Sequence, residues 1–472
     1  MKKSIFIKNM DMEHGNLFLK LIAFAVPIML TTVLQLLYST IDLISVQFWG
    51  GGDTSMGSIA ANGALINLII IVFANLSLGA NVAIANARGA NNKQRASNIL
   101  HTSLVIALLS GIFVGVLGYF FSDNLLRLMG TETAYLDLAT TYLKIYFVGV
   151  PFLMIYNYSA QIMRAMGDSK TPFIILAISG VTNVIFDFIF VYFFGLDVVG
   201  VAWATVISEF VSSVLSGLAL RYSKNAYLRL DLKLLRIDSA SLKEVIKIGL
   251  PAGLQGFFFA LPNVFIQAKL YTVDPGNVDL ENGAIASGQI ESYLYAGVSA
   301  IFSACMSFVA ANYGANNKAN IKKIFWYSHI INIIYNAITV IIILLLHRQL
   351  LHLFVSSEAA VDAGTERLFI VGMTYVLDGA MDVNASLLRG VRKSTFPMIT
   401  TFLFCTLFRI IFLETLFNLD FFHTITWLYA VFPISWVFCI VFSIIGIIIL
   451  LPRAYKEMDQ YSLENKLALQ NN

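Results

Sequence analysis

The pentapeptide GANNK occurs twice in this chain, at Gly89–Lys93 and at Gly314–Lys318. A second pair of similar turns has the same spacing: RAMGDSKTP begins at Arg164, and RGVRKSTFP begins at Arg389. In each pair, the second copy begins 225 positions after the first. Two unrelated coincidences would not share one offset, so the chain is predicted to consist of two repeated halves.

The composition indicates a membrane protein. Of the 472 residues, 58% are hydrophobic and only 12% are charged, with a mean hydropathy of +0.76, whereas soluble domains carry about 25% charged residues. Apolar stretches near the roughly 20 residues that a spanning helix needs recur along the chain. A membrane β-barrel would show alternating segments of about ten residues, and residues 65–85 do not alternate. The predicted fold is therefore all-α.

Twelve transmembrane helices are predicted from the apolar runs and the polar turns between them. Their predicted ranges are 19–48, 58–87, 99–122, 138–162, 173–195, 198–220, 245–270, 284–312, 324–346, 367–388, 398–419 and 426–451.

The distribution of Lys and Arg predicts the orientation. Most of the 31 basic residues fall in the amino-terminal arm, including Lys2, Lys3 and Lys8, and in every second loop. Basic residues concentrate on the cytoplasmic side of membrane proteins. We therefore expect a multi-pass plasma-membrane protein with both termini in the cytoplasm, and we interpret GANNK as a cytoplasmic turn.

Each half contains six helices, an even number, so the two halves enter the membrane from the same side. We predict two six-helix lobes related by a pseudo-two-fold axis along the membrane normal, an arrangement found in transporters. The predicted limits are 1–220 for the first lobe, 221–244 for a polar cytoplasmic linker, 245–452 for the second lobe and 453–472 for a tail.

Ionisable side chains inside spans are functional candidates because inserting one costs about 2.5–3.5 kcal/mol. Asp42, Asp187 and Thr205 are predicted to lie at one depth, and Asn183 precedes Asp187 by one helical turn. Such oxygen ligands suit a small cation, while two neighbouring carboxylates could instead share a proton. A third interpretation is hydrogen-bonded packing. The second half has no counterpart of Asp187, since Phe412 occupies the matching position.

Other polar side chains within the spans are candidates for lining a substrate cavity. Two basic residues within the spans, Arg409 and Lys144, could neutralise one of the acidic candidates. Glu209 and Glu414 are interpreted as packing residues. The candidates are Gln35 and Tyr38 on helix 1, Glu291 on helix 8, and Asp378 and Asp382 on helix 10.

These features together resemble the multidrug and toxic compound extrusion (MATE) transporters. The resemblance rests on the RAMGDSKTP turn, the TNVIFDFIF segment at Thr182–Phe190, the GVAWATVIS segment at Gly200–Ser208 and the LLRG turn at Leu387–Gly390. It implies export of amphipathic, often cationic compounds, driven by inward flow of Na⁺ or H⁺ and by rocking of the lobes.

The resemblance also assigns roles to residues. Asp42, Asn183, Asp187 and Thr205 look like the family's amino-terminal cation site, and Asp378 looks like an acidic position of the other lobe in some members. The chain departs from those members because its helix 7 lacks the matching glutamate. We expect a monomer with a small-molecule substrate in the lipid bilayer, no nucleic-acid partner, and no cofactor besides the coupling ion.

Two rival functions are less compatible with the sequence. A lipid-linked oligosaccharide flippase of the same superfamily would have additional helices and a cavity rich in arginine for phosphate groups. An enzyme is not expected, since no phosphate-binding loop, HExxH motif or nucleophile motif occurs.

Overall fold

A computed structural model of the protein describes residues 10–225 and 227–470, with side chains described except at 53, 64 and 461–470. Lys2, Lys3 and Lys8 of the predicted cytoplasmic arm lie outside the described residues. The described chain is helical, without β-strands, and twelve of its helices are long and apolar enough to cross a membrane, which confirms the predicted fold class. These helices are α1 (Leu17–Trp49), α2 (Asp53–Gly89), α3 (Lys93–Leu128), α4 (Thr133–Ala165), α5 (Lys170–Phe193), α6 (Asp197–Arg221), α7 (Ser239–Val273), α8 (Val278–Gly314), α9 (Lys318–Leu351), α10 (Glu358–Gly390), α11 (Thr395–Asn418) and α12 (Ile425–Gln470).

Most of the helices extend beyond the predicted apolar runs. α2 and α8 each contain 37 residues, or about 55 Å at 1.5 Å per residue, against a hydrocarbon thickness of about 30 Å. The largest error at a helix start is in α10, which begins at Glu358 instead of the predicted 367. Its first turns are polar, so hydropathy alone did not include them.

The two GANNK turns have the same backbone structure. In both, the glycine is the last helical residue. Asn91 then adopts a left-handed conformation with φ of 55°, and Asn316 does so with φ of 56°, which asparagine tolerates better than most residues. Asn92 and Asn317 follow, and each accepts a hydrogen bond from the backbone N–H three positions later, which caps the next helix.

The chain divides into two compact units. Unit 1 comprises Leu30–Gly253 and residues 10 and 11, and unit 2 comprises Met12–Met29 and the chain from Leu254 onward. The units depart from the predicted lobes in two places. The first half of α1 belongs to unit 2, and the first half of α7 belongs to unit 1.

Close helix packing explains these assignments. In unit 1, glycines let α2 and α7 touch along their backbones: a Cβ atom on Gly79 would collide with the carbonyl of Val245, and one on Gly249 would collide with that of Leu76. In unit 2, the amide of Asn312 donates a hydrogen bond of 2.9 Å to the carbonyl of Met12. The first half of α1 therefore packs in unit 2 and the first half of α7 packs in unit 1, although the second half of each helix belongs to the other unit.

The polar connection between α6 and α7 is held against α3 of unit 1. The backbone N–H of Asp231 donates to Nε2 of His101 at 3.0 Å, and that of Asp238 donates to the hydroxyl of Thr102 at 3.1 Å. Hydrogen bonds from Ser241 hold the pKa of Asp238 below its usual range. The connection is thus an ordered segment, and α7 begins at Ser239, earlier than the predicted 245.

Three helices that carry ionisable candidates are irregular. α5 continues past Asp187 as a π-helical turn over Phe188–Phe193, and α11 contains another over Thr401–Leu407. α10 is interrupted by a 3₁₀ turn at Gly372–Thr374, just before Asp378. π-Helical and 3₁₀ interruptions are frequent at functional sites and hinges.

Candidate functional site

The structure brings two acids of unit 1 together. Asp187 on α5 is fully buried and Asp42 on α1 is half-buried, and their carboxyl groups contact each other. The amide of Asn183, one turn before Asp187, also contacts Asp42. Both carboxylate oxygens of Asp187 and one of Asp42 lack a hydrogen-bond donor among the described residues. The pair is therefore close but unsatisfied.

Thr205 lies beside this pair without contacting it directly. Its hydroxyl donates to the carbonyl of Val201 one turn back in α6, at 3.0 Å. It is also within hydrogen-bonding reach of Tyr142 on α4, and the field of both Asp42 and Asp187 acts on the Tyr142 hydroxyl. Tyr142 thus lies near both Thr205 and the acidic pair.

Glu209 is a third carboxylate in the interior of unit 1. It follows Thr205 by four residues on α6, is 9% exposed, and packs against Gly149 of α4. Its Oε2 has no hydrogen-bond partner among the described residues. The prediction that Glu209 is a packing residue accounts for the contact with Gly149 but not for an unpaired carboxylate.

No salt bridge links these three acids to a basic side chain in the described parts of the chain. Lys144 on α4, a candidate for neutralising an acid, lies instead over the ring of Tyr119, 5.9 Å from its centroid. The interior of unit 1 therefore carries acidic groups to which the described residues supply no counter-charge.

The two remaining candidates of unit 1 lie on α1. Tyr38 packs against Gly180 of α5, and its hydroxyl lies 3.5 Å from the carbonyl of Ala177. Gln35 is exposed, about two turns before Asp42. Neither forms a hydrogen bond with the acidic pair in the described structure.

In unit 2, Glu291 forms an ion pair that the sequence analysis did not predict. Arg367 on α10 donates Nε–H and Nη2–H to the two carboxylate oxygens of Glu291 on α8, at 2.8 and 2.9 Å. Both side chains are at most 15% exposed. Since bidentate pairs of this kind are strong, Glu291 has a built-in counter-ion.

Asp378 and Asp382 of α10 also face arginines. Asp382 accepts a hydrogen bond of 3.3 Å from the hydroxyl of Tyr295 and lies in the field of Arg389. Asp378 is 1% exposed, has no hydrogen-bond partner in the described structure, and lies in the field of Arg409. Arg409 thus lies near an acid, as the sequence allowed, but forms no salt bridge with it among the described residues.

The sequence analysis missed Arg367 and Tyr142, and it interpreted Glu209 as a packing residue. Arg367 was placed at the start of helix 10, but the earlier start of α10 moves it more than two turns inside. Glu209 had a detectable signal, since it repeats on α6 the four-residue spacing of Asn183 and Asp187. Tyr142 had no such signal, because aromatic residues are frequent throughout the spans.

The described residues also contain no group of three or more His, Cys, Asp or Glu side chains that could hold a metal ion. The acidic pair of unit 1 instead offers carboxylate oxygens and an amide oxygen. Oxygen ligands of this kind suit a small hard cation.

Twelve spanning helices with acidic groups buried in their interior define a multi-pass membrane transporter. The MatE family profile matches residues 27–189 and 282–413, more than half of the chain. The chain belongs to the MatE family, which confirms the resemblance drawn from its motifs. Its members are transporters and not enzymes.

Known relatives agree over most of their length. The chain is 26% identical to the probable multidrug resistance protein YoeA of Bacillus subtilis, covering 80% of this chain and 82% of that protein. It is 24% identical to the multidrug export protein MepA of Staphylococcus saprophyticus, covering 78% and 80%. A crystal structure of MATE in complex with MaL6 superposes with a TM-score of 0.84 at 22% identity, covering 96% of this chain and 99% of that one.

Proposed function

We propose that this protein is an antiporter that exports small amphipathic organic compounds, often cationic, in exchange for Na⁺ or H⁺. The relatives named for multidrug resistance and multidrug export support the drug-export part of the proposal. The observation that carries the coupling part is the contact between Asp42 and Asp187, which no basic side chain among the described residues neutralises.

Cation binding is coupled to export through the charge of the acidic pair. Two buried carboxylates in contact cannot both stay ionised without a compensating charge. A proton or a Na⁺ ion supplies that charge, with Asn183 contributing its amide oxygen and Thr205 its hydroxyl. A structural state that binds the cation better is stabilised by it, and substrate release is coupled because it shifts the same equilibrium.

The proposal includes an orientation with both termini in the cytoplasm of a prokaryotic cell, as the basic loops predict. We propose the monomer as the transporting unit.

A lipid-linked oligosaccharide flippase is the alternative function. The observation in its favour is the presence of Arg367, Arg389 and Arg409 inside unit 2, where the sequence analysis placed only Arg409. Each of the three, however, already faces a carboxylate, and Arg389 also donates to Gln255 at 2.8 Å. Arg367 and Arg389 are engaged in this way, whereas the two Nη groups of Arg409 have no hydrogen-bond partner among the described residues. A single arginine with free donors is a poor receptor for a phosphate group, so drug export is preferred.

The test is dye efflux from proteoliposomes under a Na⁺ gradient alone and then under a pH gradient alone. One gradient should drive efflux of ethidium by the wild type. Asp187→Asn should reduce that efflux at least tenfold and leave expression and folding intact, because Asn keeps the shape and removes the charge.

Asp137→Asn is the matched control, since Asp137 is an exposed acid of the same unit. It should export at the wild-type rate. Normal coupled export by Asp187→Asn would disprove the assigned role.

A further inference from the structure

A cavity of about 300 Å³ lies within unit 2, between α7, α8, α10 and α12. Four aromatic side chains form much of its wall: Phe259, Tyr375, Phe432 and Trp436. The rings of Tyr375 and Phe432 lie 5.7 and 6.0 Å from that of Trp436. These walls suit a flat ring, since aromatic groups attract one another in offset and edge-to-face arrangements.

Three carboxamides also line the cavity. Asn263 and Gln267 are four residues apart on α7, so they share one face of that helix, and Gln289 projects from α8. None of the three side chains has a hydrogen-bond partner among the residues that the structure describes. Each carboxamide offers two N–H donors and one carbonyl acceptor, so the wall presents both kinds of hydrogen-bonding group without using them internally.

The charged groups of the cavity wall neutralise each other. They are Glu291 and Arg367, which form the bidentate pair described above. A ring with a fixed positive charge would have to compete with Arg367 for Glu291, and separating a buried ion pair is costly. The cavity therefore disfavours a charged ring.

We propose that this cavity binds an uncharged planar heteroaromatic group whose edge carries adjacent hydrogen-bond donors and acceptors, as in a lactam or imide. The ring contacts the aromatic walls, and its edge pairs with the carboxamides. This inference rests on the proposed export function: the cavity holds the uncharged aromatic part of an exported compound, and any charged part lies elsewhere.

The size of the cavity agrees with this class of ligand. Small-molecule sites range from about 300 to 1,000 Å³, so this cavity lies at the lower limit. It accommodates a group of two or three fused rings rather than a whole large drug.

Lumichrome, an uncharged three-ring compound with an imide edge, is the probe. Its binding to the purified protein in lipid nanodiscs is measured by fluorescence anisotropy. Gln267→Leu and Gln289→Leu, which keep the volume and remove the hydrogen bonds, should each weaken binding at least tenfold. Gln349→Leu is the matched control, because Gln349 is exposed near the end of α9, away from the cavity, and it should bind as the wild type does.

Ethidium, a three-ring cation, tests the charge argument in the same assay. Ethidium should not displace lumichrome from the wild type, and it should begin to do so in Arg367→Gln, where Glu291 has lost its partner. Unchanged lumichrome affinity in both glutamine variants would overturn the proposal, as would displacement by ethidium in the wild type.

The binding assay uses no ion gradient, so it separates this inference from the antiport function. Asp187→Asn should bind lumichrome normally, because Asp187 belongs to unit 1 and does not line the cavity. If the glutamine variants bind normally while Asp187→Asn loses export, only the ligand inference fails. If the glutamine variants lose binding while Asp187→Asn exports normally, only the antiport proposal fails.

Discussion

The acidic pair of unit 1 and Glu291 of unit 2 differ in whether the described residues supply a counter-charge. In unit 1, Asp42 and Asp187 contact each other and no salt bridge reaches them from the described residues. In unit 2, Glu291 is held by two hydrogen bonds from Arg367, and Asp382 lies in the field of Arg389. The two repeated halves of the chain therefore differ in how acidic side chains are accommodated within the membrane-spanning helices.

The difference has a physical consequence. An acid paired with an arginine forms a neutral unit that needs nothing from solution, and separating such a pair is costly. An acidic pair without an arginine must obtain its compensating charge from solution, as a proton or a cation. The acidic pair of unit 1 is thus suited to bind such a charge, whereas the Glu291–Arg367 pair of unit 2 is suited to stabilise a fixed structure.

The largest expected effect on stability comes from breaking the ion pair of unit 2. Arg367→Met leaves Glu291 buried without a counter-charge and should destabilise the protein by about 3–5 kcal/mol. Thermal unfolding of the purified protein in detergent, followed by tryptophan fluorescence, measures the loss.

Two further variants complete this comparison. Glu291→Gln combined with Arg367→Met removes both charges and should recover most of the stability, because the penalty comes from the unpaired carboxylate. Asp187→Asn should unfold close to the wild-type temperature. An Arg367→Met variant as stable as the wild type would show that the pair is not a structural unit.

A smaller effect on stability is expected at the turns after α4 and α10. Gly167 and Arg392 occupy equivalent positions of the repeat in these two turns. Both residues have positive φ, at 84° and 67°. Gly167→Ala adds a Cβ atom that would also meet the backbone of Met10, so it should destabilise the protein by at least about 1–2 kcal/mol.

Arg392→Ala is the control, because a residue with a Cβ atom already occupies that position, and it should cost less than Gly167→Ala in the same unfolding experiment. Equal losses in the two variants would mean that the left-handed backbone of Gly167 is not what the turn requires.

Hydropathy and the repeat were sufficient to predict the helical fold and the number of spans. Depth along the helices was sufficient to predict that Asp42 and Asp187 could meet, because the rise per residue of a helix is fixed. The same reasoning failed for Arg367, whose depth depended on a helix start hidden in polar residues.

Packing between helices that are distant in sequence could not be predicted from hydropathy, from the repeat or from depth along a helix. The assignment of the first half of α7 to unit 1 depends on Gly79 and Gly249, two among 31 glycines, and only their close contacts in the fold distinguish them. The link between Tyr142 and Thr205 likewise depends on how α4 packs on α6, which single-helix patterns do not specify.

The most direct test of the account is proton exchange by the purified protein in a weakly buffered solution with a pH-sensitive dye. Substrate or Na⁺ is added, and the protons released per protein are counted for the wild type, Asp187→Asn and Glu291→Gln. If the acidic pair of unit 1 holds the exchangeable proton, the wild type and Glu291→Gln should release protons and Asp187→Asn should release none. Release that persists in Asp187→Asn and disappears in Glu291→Gln would contradict the account.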